Sequence, residues 1–205
     1  MKTNIFNPYN RIAGTKAFIA GFTGIILSGL LCFFSHTHFD GVIDVHFNDA
    51  GSIFLFLLEG LIALGSIVLI FSLAALILVG TRFRFIDMLG TMSLARLPMI
   101  IVPFFALILP PEKVTDYFLY TFLHQGAPVT IGNWDIASFI IMIFIMLFVL
   151  AWTITLMWSA FRICTNTKGA KTVVAFIAGL MIAEALSKVL FITILMPGYF
   201  SEIFK

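Results

Sequence analysis

Charge is scarce in this chain. Of its 205 residues only 11% are Asp, Glu, Lys or Arg, while 61% are hydrophobic. A soluble domain carries about 25% charged residues, so less than half the usual supply is present for coating a water-facing surface. The mean hydropathy of +1.11 points the same way. Cysteine is almost missing: Cys32 is expected near the outer face and Cys164 near the inner one, so no disulfide is expected between them and the redox compartment stays open. The first apolar run is long and lacks a polar stretch with a small-residue cleavage site, so it reads as a retained span rather than a signal peptide. There is no soluble domain, no long repeat and no soluble catalytic motif. No cofactor and no nucleic-acid partner is expected.

What the chain has is long apolar runs, at about 16–34, 51–79, 85–109, 136–161 and 171–196. Each approaches or exceeds the roughly 20 residues a helix needs to cross a bilayer core. They lack the short alternation of barrel strands, and open backbone in lipid leaves polar groups unpaired. The expected fold is all-α: a single domain, 1–205, forming a polytopic five-transmembrane-helix bundle.

Lysine and arginine set the expected orientation. Lys2, Arg11 and Lys16 precede the first span, Arg82 and Arg84 link the second to the third, and Arg162, Lys168 and Lys171 link the fourth to the fifth. The other side has Lys113 and Lys205. The N-terminus is therefore expected in the cytoplasm and the C-terminus outside. Trp134, Tyr117, Tyr120 and Tyr199 then fall at the outer interface and Trp158 at the inner one, where amphipathic rings prefer to lie.

Two segments outside the spans have helical character. Residues 4–13 can form a short interfacial helix with Ile5, Phe6, Tyr9 and Ile12 toward lipid and Arg11 toward head groups, or remain a basic tail. In the link after the third span, Val114, Phe118 and Phe122 recur at helical spacing and suggest a helix on the outer surface.

The link SHTHFDGVIDVHFND, residues 35–49, is the most polar stretch between spans. In an extended segment His36, His38 and Asp40 point to one side, and imidazole with carboxylate suits zinc or another transition metal. The string resembles the start of a metallo-hydrolase motif. Gly41 stands where that motif has a further ligand, and only His46 and His124 remain as other histidines. The expectation is a plain polar loop, with His36, His38, Asp40 and His46 as the alternative metal ligands.

Four ionisable residues lie inside the spans: Glu59, Arg96, Glu184 and Lys188. A charge at the bilayer centre costs at least about 2.5–3.5 kcal/mol unless paired. At 1.5 Å per residue, Glu59, Arg96 and Glu184 share the middle zone, and Lys188 is one helical turn from Glu184. Two acids and two bases suggest a neutral buried network, with Arg96 as a hub serving both glutamates. Pro98 and Pro103 are expected to break the helix near Arg96. Stripes of small residues, Ala20, Gly24 and Ser28 in the first span and Ala175, Gly179, Ala183 and Ser187 in the fifth, allow close helix packing.

The segment FNPYNRI, the five spans and RFIDMLGTMSLARLP at the entry to the third resemble the bacterial members of the Yip family, relatives of the Ypt/Rab-interacting membrane proteins. As a motif the likeness rests on Arg84, Asp87, Gly90, Thr91, Ala95, Arg96 and Pro98. It implies a non-enzymatic scaffold in the bacterial cytoplasmic membrane, organising partner proteins or lipids. Two other roles stay open: a small transporter or lipid-handling protein with a polar midplane cavity, and a membrane enzyme with an outer-loop metal site.

Overall fold

A computed structural model describes residues 8–10, 12–47 and 51–195. Among these residues the chain forms seven α-helices: α1 (Gly14–Ser35), α2 (Ile53–Val79), α3 (Phe85–Ala95), α4 (Ile101–Ala106), α5 (Glu112–Leu123), α6 (Asn133–Thr165) and α7 (Ala170–Leu195). Two short strands, β1 (Thr37–His38) and β2 (His46–Phe47), pair antiparallel in the α1–α2 link. Five helical stretches are long and apolar enough to cross a membrane: α1, α2, α3 with α4, α6 and α7. The chain is an integral membrane protein built as an all-helical bundle.

Local chemistry explains the helix ends. Ser52 caps α2 by accepting a hydrogen bond from Leu55 N–H, and Gly132 N–H donates to the Asp135 carboxylate at the start of α6. His36, His124 and Asn166 take the left-handed conformation that ends α1, α5 and α6. The third span is broken as its prolines require. α3 stops at Ala95, a 3-10 turn covers Leu97–Ile100 with Pro98 inside it, and α4 resumes through Pro103.

Glycine sets the helix packing. A Cβ added at Gly21 would overlap the backbone of Ser93 and Leu94, and one at Gly90 would overlap the Gly14 carbonyl. α1 and α3 therefore touch main chain to main chain, the close approach that small residues permit. In α1 the inward face is Ala17, Gly21, Gly24 and Ser28, whereas Ala20 is exposed. In α7, Gly179 receives the Phe71 ring of α2, with Ala183 and Ser187 buried on the same stripe. Large apolar side chains such as Ile77, Phe144, Phe148 and Val174 cover the outside, where lipid takes the place of a core.

Two expectations outside the spans are settled differently. α5 forms over the predicted segment, with Val114 buried and Phe118 stacked on Phe122. Tyr9, expected to face lipid, is buried in the bundle, where its hydroxyl donates to the Leu156 carbonyl. A buried phenol needs a hydrogen-bond partner, and the Leu156 carbonyl supplies it here. Ile5, Phe6 and Arg11 of the same segment lie outside the described residues, as do Tyr199 and Lys205.

Candidate functional site

The polar link between α1 and α2 is not a surface loop. After β1 the chain bends back at 41–43 and returns through β2, so it enters and leaves at the same end of the bundle. Thr37, His38, Phe39 and Val42 are all buried. Phe39 belongs to an apolar cluster with Phe56, Met99 and Val102, and Val42 to a second one with Ile67, Val68 and Phe71. The tip of the loop joins the two.

Depth explains the chemistry. The loop tip reaches Glu184, eleven residues before the last described residue of α7, or about 16 Å along the helix axis. Irregular backbone at that depth is tolerated only where protein satisfies its polar groups. The intramembrane charges do this. Glu59, 1% exposed, accepts from the Phe39 N–H at 2.9 Å, and its other oxygen lies 2.7 Å from His38 Nδ1. Arg96, 4% exposed, donates to the Val42 carbonyl at 2.8 Å. Glu184 accepts from the Ile43 N–H at 2.9 Å. Lys188 pairs with Asp44.

The expected hub is thereby corrected. Among the described residues neither Glu59 nor Glu184 forms an ion pair with Arg96. Glu184 acts on the guanidinium only through space. Lys188 takes Asp44 rather than Glu184 as its ion-pair partner. The four charges do converge on one region, but each is bonded to the loop. The physical reason is that a buried loop presents unpaired N–H and C=O groups, which need partners as much as the charges do.

The candidate metal ligands are engaged in pairs. His38 is with Glu59, and His46 Nδ1 lies 3.4 Å from Asp40 across the rim of the loop. The His38 and His46 rings stack at 5.0 Å as a consequence of their pairing in β1 and β2. His36 ends α1, its backbone N–H donating to the Cys32 carbonyl. Among the described residues no group of three His, Cys, Asp or Glu side chains is placed to hold a metal. The Asp40 carboxylate beside it raises the affinity of His46 for its proton, against the effect of burial. Burial pushes Asp40 up, but His46 and the more distant Lys188 charge outweigh it and hold the carboxyl below its ordinary range.

The segment 84–98 runs from the opposite end of the bundle to the site, which it joins at Arg96. Arg84 precedes α3 and faces Asp87 at 3.6 Å, in the first turn. The Thr91 hydroxyl donates to the Asp87 carbonyl and meets Cys164 of α6 at 3.3 Å. Gly90 sits on Gly14, Ala95 is fully buried, and Pro98 holds the turn that follows Arg96. Asp44 and Gly41 were missed as members of the site. The signal available was the apolar set Phe39, Val42, Val45 and Phe47 threaded through the polar string, unusual for a link in water.

Beside Arg96 the structure leaves a cavity of about 10 Å³, bordered by Ser28, Gly29, Phe56 and Gly60. No protein-family model, curated protein or solved structure matches the chain.

Proposed function

We propose that this chain is a non-enzymatic membrane protein that organises partner proteins or lipids in the bilayer plane. The observation that carries the reading is how the polar core is used. Glu59, Arg96 and Glu184 bond the chain's own re-entrant loop, and the cavity beside Arg96 has room for about one water. A transport site instead keeps its polar groups available at a midplane cavity for substrate or ions. The resemblance of residues 84–98 to the Yip family supports the same role, and with it a bacterial cytoplasmic membrane.

The N-terminus belongs in the cytoplasm and the C-terminus outside on this reading. Arg82, Arg84, Arg162, Lys168 and Lys171 share one end of the bundle, the end that should remain inside. Cysteines placed at Gln125 and Lys168 test this: the first should react only from outside, the second only from the cytoplasm.

The role itself is tested in two ways. Photo-reactive residues at Phe144 and Phe148 on the lipid-facing side of α6 should capture a defined set of proteins or lipids in native membranes. Reconstituted vesicles under an ion or proton gradient should leak no faster than empty ones. A protein-dependent flux abolished by Arg96→Ala sinks the scaffold reading.

One observation favours the transporter or lipid-handling alternative. The buried hydroxyls of Ser66, Ser72, Thr153 and Ser187 have no hydrogen-bond partner among the described residues, and buried polar groups normally find one. Water admitted along them is what the same flux experiment detects.

A further inference from the structure

A second polar site lies at the opposite end of the bundle from the loop. α6 spans 33 residues, about 50 Å, against about 30 Å of hydrocarbon and 40–45 Å with head groups. Its final turns therefore reach the depth of lipid phosphates. There Asn166, in the left-handed conformation, turns the chain toward α7. A pocket of about 310 Å³ opens at this turn, lined by Ser159, Arg162, Ile163, Asn166, Thr167 and Lys168. That volume falls at the lower end of small-ligand sites, about 300–1,000 Å³.

We propose that this pocket binds the phosphate of an anionic phospholipid. The lining offers two cations, two hydroxyls and an amide, with no carboxylate. Arg162 lies over the Trp158 ring at 5.5 Å. That contact holds the guanidinium over the ring without using up its N–H donors on a carboxylate. The Thr167 hydroxyl is fixed by Thr165 at 2.8 Å, which sets the wall opposite. Asp87, the acid on α3 whose charge reaches Cys164, is engaged by Arg84. Ile163 gives the pocket an apolar side toward the acyl region. Phosphate recognition alone fits a free phosphate equally well; the depth and the apolar wall favour a lipid.

The inference rests on α6 and α7 spanning a membrane and not on the scaffold role, so a flux result leaves it untouched. Native mass spectrometry of the detergent-solubilised protein tests it with three probes: phosphatidylglycerol, phosphatidylcholine and inorganic phosphate. Wild type should retain phosphatidylglycerol in preference to phosphatidylcholine. Losing one charge-assisted contact corresponds to at least about tenfold in affinity, so Arg162→Gln and Lys168→Gln should each weaken retention by that factor. Arg84→Gln, on the same side but outside the pocket, should not. Saturable binding of inorganic phosphate that is lost in Arg162→Gln keeps the site and makes free phosphate its ligand. Equal retention of both lipids, or equal weakening by Arg84→Gln, means general charge attraction and overturns the proposal. All three variants change exposed side chains, and thermal unfolding in plain detergent confirms that each still folds.

Discussion

Glu184 seats its carboxylate against the Cα of Gly41, so closely that any Cβ at that position would overlap it. One is the bend of a loop near the start of the chain, the other the middle of the last described helix. A side chain here would force the carboxylate to move.

Gly41→Ala should therefore push Glu184 away from the Ile43 N–H and loosen the loop. Overpacking of a buried site costs about 1–3 kcal/mol, readable as a lower unfolding temperature in detergent. Because the two residues share one contact, their effects should not add. Gly41→Ala in a Glu184→Ala background should cost clearly less than in wild type. Additive losses would show that the clash is not the cause.

Glu59 has two loop groups on one carboxylate, the Phe39 N–H and the His38 ring. Glu59→Ala strands the Phe39 N–H and removes the His38 contact, and an unsatisfied buried group costs about 1–3 kcal/mol. Arg96→Ala strands the Val42 carbonyl, and Arg96→Lys should recover part of the loss because an ammonium can donate to a single carbonyl. The expected order of thermal stability is wild type, Arg96→Lys, Arg96→Ala. His38→Ala should be destabilising too, against the near-neutral effect a surface loop would show.

The His46–Asp40 pair gives the loop rim a pH dependence. His46 binds its proton more tightly than the ordinary value of 6.5, so its contribution is complete below about 6.5 and fades as pH rises through the raised value. Asp40 lies below 3.8, so its contribution is complete above about 3.8 and fades on further acidification. Between those limits the pair is charged and strongest. The unfolding temperature of wild type should fall more than that of His46→Gln as pH rises from about 6 to 8. Both sites are partly exposed, so the difference should be small and weaker in high salt. Parallel curves for the two proteins would remove the pair from the account.

Two glycines separate helix propensity from packing. Gly65 in α2 is exposed with open space where a Cβ would stand, and Gly21 in α1 has the α3 backbone there. Gly65→Ala should be neutral or stabilising by up to about 1 kcal/mol. Gly21→Ala should lower stability, as the two main chains must part. Equal responses in thermal unfolding would argue against the α1–α3 contact.

The spans were legible in the sequence because twenty apolar residues in a row have few alternatives. The break at Ala95 and Arg96 was legible from Pro98 and Pro103, and α5 from the spacing of Val114, Phe118 and Phe122. The middle depth of Glu59, Arg96 and Glu184 followed from counting residues. Their partners did not. Arg96 meets a carbonyl 54 positions away and Glu184 an amide 141 positions away, and main-chain groups are the same at every residue. Side chains advertise other side chains, so the natural expectation was carboxylate with guanidinium. Tyr9 escaped for a related reason: beside a basic residue it reads as interfacial, and only the position of the Leu156 carbonyl places it inside.

The long reach of these bonds orders the making of the protein. A membrane chain is inserted from its N-terminus, and the first helical hairpin, α1 with α2, leaves the ribosome long before α7 exists. Until then the Ile43 amide and the Asp44 carboxylate have neither Glu184 nor Lys188 to meet. The hairpin is therefore born unsealed. α7 acts as the closing latch, and a nascent chain cut before Ala170 should leave residues 40–45 open to a protease that the finished bundle keeps out.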